Sequence, residues 1–196
     1  MLEIERKFIV DCSAIGGYLN GSVAVLQIQW YIQSNPEVRI RATISRTGEM
    51  SWTVTEKEGS GMIRQERERQ VDHDECLPSF TVLSDERCVV KIRYITGESA
   101  RHQAVIDQYL FPDIGCVAEI EVYAEDDLGL LNPLSVWNIK GHQMVEVTER
   151  DGFTASNLAQ KVNPSSGDHI LEEVRTRLGN KACEQLSKLL KRIYSL

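Results

Sequence analysis

Charged residues occupy alternate positions in several short segments of this 196-residue chain, beginning with Glu3, Glu5 and Lys7 near its start. In a β-strand, side chains at alternate positions share one face, so these three charges stand in a row, with Ile4 and Phe8 on the other face. Small groups of carboxylates bind hard cations such as Mg²⁺, whereas lysine and arginine bind phosphate oxygens. Together these residue types suit metal-assisted chemistry on a phosphate compound.

The same alternation recurs along much of the chain, and the residue between two charges is often isoleucine or valine, which favours burial. The segments are Arg39-Ile40-Arg41, Thr53-Val54-Thr55-Glu56-Lys57, Arg64 to Glu68, Lys91-Ile92-Arg93, Val105-Ile106-Asp107 and Glu119-Ile120-Glu121. One such segment alone is typical of a strand with one face in water. Because many segments carry charges of both signs, we predict that they close into an antiparallel β-barrel with an ionic lumen.

The predicted lumen contains acids and bases in similar numbers. Its acids are Glu3, Glu5, Glu66, Glu68, Asp107, Glu119 and Glu121, and its bases are Lys7, Arg39, Arg41, Lys57, Arg64, Lys91 and Arg93. Unpaired ions are costly in a dry interior, so we expect water, counter-charges and a charged ligand there. The bases suit a polyanion. The carboxylates would repel it unless they bind Mg²⁺ or Mn²⁺, which bridges to phosphate.

Alternation and turn residues predict nine strands. They cover residues 2–10, 24–33, 37–46, 50–57, 63–71, 88–96, 102–110, 117–124 and 143–149. Polar breaks such as Ser34-Asn35-Pro36 and Thr96-Gly97-Glu98 indicate hairpins, so adjacent strands are expected to pair antiparallel. Short helices outside the barrel are predicted at 74–84 and 153–161, and a loop at 126–133. The predicted fold class is α+β, mainly antiparallel β, with a closed barrel of about eight strands.

The end of the chain has a helical period instead. Apolar residues recur every three or four positions at Leu171, Val174, Leu178, Ala182, Leu186, Leu189 and Ile193, which predicts an amphipathic helix from Asp168 to Leu196. Gly179 either interrupts this helix or costs about 1 kcal/mol within it. We expect the helix to pack on the barrel, with dimerisation as the alternative. One domain is predicted, with the barrel and packed helices over 1–162 and a helical extension over 163–196.

Composition limits the classes of partner. The chain has 22 basic and 29 acidic residues and a net charge of -7, which disfavours nucleic-acid binding. No run of about 18 apolar residues is present, and charges occupy the place of a signal-peptide apolar region, so no membrane partner is expected. We predict a soluble cytoplasmic protein, monomeric or homodimeric, whose partner is a small-molecule substrate.

The cysteines and histidines are expected to have structural roles. The five cysteines, Cys12, Cys76, Cys88, Cys116 and Cys183, are scattered and form no CxxC pair, which predicts reduced thiols. The four histidines, His73, His102, His142 and His169, lack the spacing of metal ligands. Tyr31 is expected to be a barrel-wall aromatic residue whose hydroxyl finds a neighbour.

The opening Glu-Ile-Glu-Arg-Lys-Phe resembles the ExExK signature of the CYTH superfamily, also called triphosphate tunnel metalloenzymes. The resemblance spans about the first 160 residues and continues in the charged segments described above, together with Gln29-Trp30-Tyr31-Ile32 and Val145-Glu146-Val147-Thr148. It implies an eight-stranded antiparallel β tunnel that hydrolyses or cyclises triphosphate compounds with a divalent metal.

The resemblance also implies roles for individual residues. The metal ligands would be Glu3, Glu5, Glu119 and Glu121, and the phosphate-binding bases would be Lys7, Arg39, Arg41, Lys57, Arg64, Lys91 and Arg93. Glu66, Glu68 and Asp107 correspond to acids that organise a second metal or the attacking water. Lys7 would orient the nucleophile or bind substrate.

Three functions follow from this reading. The first is a metal-dependent triphosphatase acting on inorganic triphosphate or on a nucleotide or thiamine triphosphate. The opening, which has no His-Phe pair before its first glutamate, resembles the hydrolytic branch more than the class IV adenylate cyclases. Cyclisation of ATP to cyclic AMP is the second function, and non-catalytic binding of polyphosphate or a nucleotide is the third.

Overall fold

The computed structural model of this chain describes residues 2–59, 62–76, 80–137, 143–162 and 167–194. The strands are β1 (Leu2–Val10), β2 (Val23–Ser34), β3 (Glu37–Ser45), β4 (Met50–Glu58), β5 (Ile63–Val71), β6 (Arg87–Glu98), β7 (His102–Phe111), β8 (Gly115–Val122), β9 (Met144–Glu146) and β10 (Gln160–Lys161). The helices are α1 (Gly16–Leu19), α2 (His73–Cys76), α3 (Phe80–Leu83), α4 (Pro133–Trp137), α5 (Ala155–Leu158), α6 (Gly167–Leu178) and α7 (Asn180–Tyr194), with 3₁₀ turns at Glu125–Leu130 and Asp151–Phe153.

Eight antiparallel strands close into a barrel. They follow the order β6, β2, β3, β4, β5, β1, β8 and β7, and β7 pairs back with β6. The first residues of β1 pair with β5 and its last residues pair with β9, while β8 lies along its other edge. The short strand β10 extends the sheet beside β6. The predicted α+β class and the closed antiparallel barrel are confirmed.

Alternation along each strand separates an ionic interior from an apolar exterior. On β6, Val90, Ile92 and Tyr94 point outward and belong to the main apolar core, whereas Lys91 and Arg93 line the lumen. This core lies between the barrel wall and the helices around it. Burying it is the main favourable term that stabilises the fold, and it leaves the lumen free to be polar.

The two C-terminal helices cover one side of the barrel. On α7, the buried positions are Ala182, Cys183, Leu186, Leu189, Leu190 and Ile193. The indole Nε1 of Trp30 on β2 donates to the hydroxyl of Tyr194 at 3.0 Å. Gly179 separates α6 from α7 with φ +96°, and its N–H donates to the carbonyls of Val174 and Arg175. This left-handed glycine ends α6, so the structure confirms the alternative in which Gly179 interrupts the predicted amphipathic segment, and two helices form.

Other predicted elements differ in detail. The nine predicted strands are confirmed, although β9 is shorter than expected. The predicted helix at 74–84 is two short helices, α2 and α3, with residues 77–79 outside the described residues. The segment 153–161 contains α5 but ends in the strand β10, and the predicted loop at 126–133 begins as a 3₁₀ turn. His142 lies outside the described residues.

The expectation of reduced cysteines is wrong for one pair. Cys12 and Cys116 form a disulfide across 104 residues. Val10 lies opposite Cys116 in the β1–β8 register, which brings Cys12, two residues further on, to the start of β8. Cys88 and Cys183 are free and buried. Because disulfides are uncommon in reducing compartments, the cysteines no longer support the cytoplasmic prediction, which stays a prediction. Among the described helices, none has the length and apolar character that crossing a membrane would require.

Candidate active site

The barrel encloses one large cavity of about 580 Å³. Charged residues line it from six strands: Glu3, Glu5, Lys7, Glu37, Arg39, Arg41, Lys57, Arg64, Glu66, Arg67, Glu68, Lys91, Arg93, Glu119 and Glu121. The lining therefore includes every lumen residue predicted from the sequence except Asp107. The period of two along each strand is the physical reason for the predicted residues, because residues of one parity share a face. Arg67 has the opposite parity to Glu66 and Glu68 on β5 and nevertheless lines the cavity.

Three carboxylates meet on one side of this cavity. Glu3, Glu5 and Glu121 each have an oxygen within 4.8 Å of the others. Glu5 lies directly opposite Glu121 in the β1–β8 register, an arrangement in which like charges repel. Burial and the neighbouring Glu3 and Glu5 raise the pKa of Glu121 to about 8. A group of oxygen ligands under mutual repulsion is a suitable donor set for a hard divalent cation.

Glu119 lies two residues from Glu121 but is engaged differently. Its carboxylate contacts Lys7 Nζ at 3.1 Å and Arg93 NH2 at 2.8 Å. Burial alone would raise the pKa of Glu119, but Lys7, Lys91 and Arg93 outweigh it and hold that pKa well below 4.5. The structure thus brings three of the four predicted metal ligands together, and the metal role of Glu119 stays a prediction.

Lys7 is a partly buried ammonium between two acids. Its Nζ lies 3.0 Å from Glu5 and 3.1 Å from Glu119. Burial by itself would lower the pKa of Lys7, but these two carboxylates raise it above its ordinary value. Lys7 therefore stays protonated at neutral pH, so it is suited to binding an anion and unsuited to accepting a proton from water.

Asp107 lies behind the cavity wall and does not line it. Its side chain is fully buried and accepts hydrogen bonds from Lys91 and from both Nε and NH2 of Arg93. Burial and the nearby Arg93 lower the pKa of Lys91 to about 8, because Asp107 and Glu119 offset these effects only in part. Through these hydrogen bonds Asp107 orients Lys91 and Arg93 toward the lumen. Its predicted catalytic role stays a prediction.

The opposite wall, from β3 to β5, carries a second set of ion pairs. Lys57 contacts Glu3 and lies 2.9 Å from Glu66, which Arg39 approaches at 3.8 Å. Arg41 and the hydroxyl of Thr55 both donate to Glu68. Burial, with Arg39 beside it, lowers the pKa of Arg41 to about 10.

Arg39 and Arg41 have unused hydrogen-bond donors, which indicate an anionic ligand. The Nε atoms of Arg39 and Arg41 are buried and have no hydrogen-bond acceptor among the described residues. Buried polar groups of native proteins are nearly always hydrogen-bonded. Guanidinium groups with spare N–H donors match the oxygens of a phosphate chain.

One part of the barrel end is closed by an apolar cluster. Tyr31, Val89, Tyr109, Val117 and Ala159 pack together there. The hydroxyl of Tyr31 donates to Gln29 Oε1 at 3.0 Å, in agreement with the structural role expected for it. Ala155 and Leu158 of α5 also pack against this cluster, so a segment far along the chain closes this part of the lumen.

Sequence reasoning missed several lining residues. They are Glu37, Arg67, Gln103, Tyr123, Thr154 and Ala155. Glu37 lies two positions before Arg39 on β3, so the alternation could have found it. Thr154 and Ala155 carry no such signal, because they enter the lumen from a segment outside the barrel strands.

Comparison with known proteins establishes the fold. The PH1819 protein of Pyrococcus horikoshii OT3 is 18% identical, with a TM-score of 0.53 over 73% of this chain and 93% of that one. A putative adenylate cyclase of Bacillus halodurans is 16% identical, with a TM-score of 0.53 over 70% of this chain and 90% of that one. The shared fold is consistent with the resemblance to the CYTH superfamily.

A third solved structure, the inorganic triphosphatase NE1496, is 23% identical over 82% of this chain and 99% of that one. Its TM-score is 0.45. No family model and no curated protein matches the sequence.

Proposed function

We propose that this chain is a divalent-metal-dependent triphosphatase that hydrolyses inorganic triphosphate or a triphosphate ester within its barrel. The observation that carries the proposal is one cavity with a three-carboxylate cluster on one side and buried bases around it. The cluster would hold a cation through Glu3, Glu5 and Glu121. When bound, such a cation neutralises phosphate charge and lowers the pKa of a water ligand.

The residues of this chain supply the rest of the chemistry by position and charge. Arg39 and Arg41 line the cavity and have buried Nε donors without an acceptor among the described residues, and Lys91 and Arg93, held by Asp107, add cations to the lining. Phosphoryl transfer needs mainly alignment and charge neutralisation, which such donors provide.

The proposed reaction is in-line hydrolysis. A water oxygen forms a bond to the terminal phosphorus, the bond from that phosphorus to the bridging oxygen breaks, and orthophosphate and the shortened phosphate chain leave with release of one proton. We assign Glu66 and Glu68 to orienting this water, and their position in the same lining beside Lys57 and Arg41 supports this role. Protonated Lys7 binds the substrate.

A phosphate-release assay tests the proposal. Tripolyphosphate, ATP, thiamine triphosphate and pyrophosphate are each incubated with Mg²⁺ or Mn²⁺, and cyclic AMP is assayed in parallel. We expect orthophosphate from at least one triphosphate and little from pyrophosphate, which leaves part of the basic lining without a partner. Cyclic AMP with pyrophosphate would instead indicate a cyclase, and tight binding without turnover a polyphosphate receptor.

Substitutions of the clustered carboxylates test whether they form the active site. Glu5→Gln and Glu121→Gln are expected to lower kcat at least about a hundredfold, in the range typical for lost electrostatic groups. Glu172→Gln, on the exposed face of α6, is the matched control and should keep full activity. Full activity in both site variants would contradict the proposal.

A further inference from the structure

A second, smaller cavity opens beside the apolar cluster that closes part of the barrel end. It has a volume of about 230 Å³, less than half that of the main cavity. Six residues line both cavities: Glu5, Lys7, Glu37, Lys57, Arg64 and Thr154. The two spaces are therefore neighbours across a shared wall of charged side chains. The smaller cavity is called the second opening below.

The second opening lies between the barrel and the segment that carries α5. Its rim is formed by Ser34 at the end of β2, Asn35 after it, Gly59 after β4, and eight residues between Val147 and Asn157. The backbone of this last segment is fixed, because Arg150 N–H donates to the carbonyl of Val147 and the carbonyl of Arg150 accepts from the N–H of Phe153. The rim is thus a surface whose backbone is held in place on one side.

Arg150 distinguishes this rim from the lumen. Each of the seven predicted lumen bases contacts a carboxylate within 4.0 Å. Arg150 lines the second opening, is exposed, and makes no ion pair with a carboxylate within the described parts of the chain. Its guanidinium therefore has its full set of donors available to a ligand.

The charges around the second opening favour a small anion. The lining has four cations, Lys7, Lys57, Arg64 and Arg150, and three carboxylates, Glu5, Glu37 and Asp151. Of these cations, only Arg150 has no carboxylate contact among the described residues. The hydroxyl-bearing residues Ser34 and Ser156 add neutral hydrogen-bonding groups at the rim. A tetrahedral oxyanion matches the guanidinium fork, and the second opening has room for it.

We propose that the second opening binds orthophosphate, with Arg150 as the principal ligand. The longer phosphate chain occupies the main cavity, and the released orthophosphate leaves through the second opening. This inference rests on the proposed hydrolysis for the identity of the anion. The binding of orthophosphate at Arg150 can be measured without turnover. A negative result for this site is therefore distinguishable from a negative result for the proposed hydrolysis.

The first experiment measures binding alone. Orthophosphate is titrated into the full-length protein and followed by ³¹P NMR line broadening. Arg150→Gln is expected to weaken binding about tenfold, the loss typical of one charge-assisted contact. Arg175→Gln removes an exposed arginine from α6 and is the matched control, with unchanged affinity. Equal affinity in wild type and Arg150→Gln overturns the site whether or not the protein hydrolyses triphosphate.

The second experiment tests the exit route. Ser34→Trp places an indole on the exposed rim of the second opening. We expect kcat in multiple turnover to fall several-fold while the single-turnover rate of the first hydrolysis stays within twofold of wild type. An unchanged kcat, or an equal fall in both rates, overturns the exit route. Absence of hydrolysis in the wild-type protein would instead remove the proposed function and leave the NMR result to decide the site.

Discussion

Arg93 holds Asp107 through two parallel hydrogen bonds, Nε to Oδ1 at 2.8 Å and NH2 to Oδ2 at 2.7 Å. The two residues lie opposite each other in the β6–β7 register, so the strand pairing that closes the barrel also fixes this contact. Lys91 donates to the same carboxylate. One fully buried acid therefore pairs with two cations that face the cavity.

The first prediction concerns this buried acid. Asp107→Asn removes the buried carboxylate that pairs with both Lys91 and Arg93 and leaves them only the more distant side of the network, where Glu119 contacts Arg93. Removing one partner of a buried ion pair costs about 3–5 kcal/mol, and we expect a loss of that size in the free energy of unfolding. Urea unfolding measures it, with the exposed Glu172→Gln as a control that changes stability by less than about 0.5 kcal/mol. A loss below about 1 kcal/mol for Asp107→Asn would show that the pairing is not needed.

The second prediction concerns the three-carboxylate cluster. In metal-free protein at pH 8.5, ionised Glu121 is penalised by burial and by Glu3 and Glu5, which raise its pKa to about 8. Glu121→Gln removes this penalty, so its melting temperature without metal should exceed that of wild type. Calorimetric titration with Mn²⁺ should show affinity lowered at least about tenfold in the same variant.

A variant that is more stable without metal but binds Mn²⁺ more weakly is expected only where the replaced carboxylate belongs to a metal-ligand cluster. Glu172→Gln should change neither quantity. If Glu121→Gln bound Mn²⁺ as tightly as wild type, the assignment of these carboxylates to a cation would be lost.

The third prediction is a loss of stability in acid. Burial would raise the pKa values of Glu119 and Glu66, but their cationic neighbours overcome this and lower both below 4.5. The unfolded chain then binds more protons than the folded chain, so the stability these acids contribute is present above about pH 4.5 and is lost as pH falls through their lowered pKa values.

Urea midpoints measured between pH 6 and pH 3 in the presence of a chelator check this. Glu119→Gln should be less stable than wild type at pH 6 and should show a shallower decline below pH 4.5. Parallel curves for the two proteins would mean that Glu119 does not contribute to the pH dependence.

The fourth prediction concerns capture of the substrate. Arg67 is exposed and lines the main cavity, and it makes no ion pair among the residues described. Exposed cations near a site attract polyanions, and salt screens this attraction. Arg67→Gln is expected to lower kcat/KM for tripolyphosphate several-fold at low salt, with the difference vanishing near about 0.5 M salt. Arg175→Gln should behave as wild type, and a loss independent of salt would argue against steering.

The sequence by itself determined which side chains share the lumen. Which face of a strand a side chain occupies is a local property, because successive side chains alternate between the two faces. This alternation does not depend on which strands pair with it. For that reason Glu3, Lys7, Arg41 and Lys91 could be assigned to one interior before any fold was known, and the structure places all of them around the main cavity. The same local rule would have included Glu37.

Only the tertiary structure decided which acid meets which base. Glu119 and Glu121 have the same parity, yet Glu119 pairs with Lys7 and Arg93, whereas Glu121 lies beside Glu3 and Glu5. The Cys12–Cys116 disulfide and the entry of α5 into the barrel end join segments far apart in the chain. Such contacts depend on strand register and on the packing of distant segments, which a period of two does not encode.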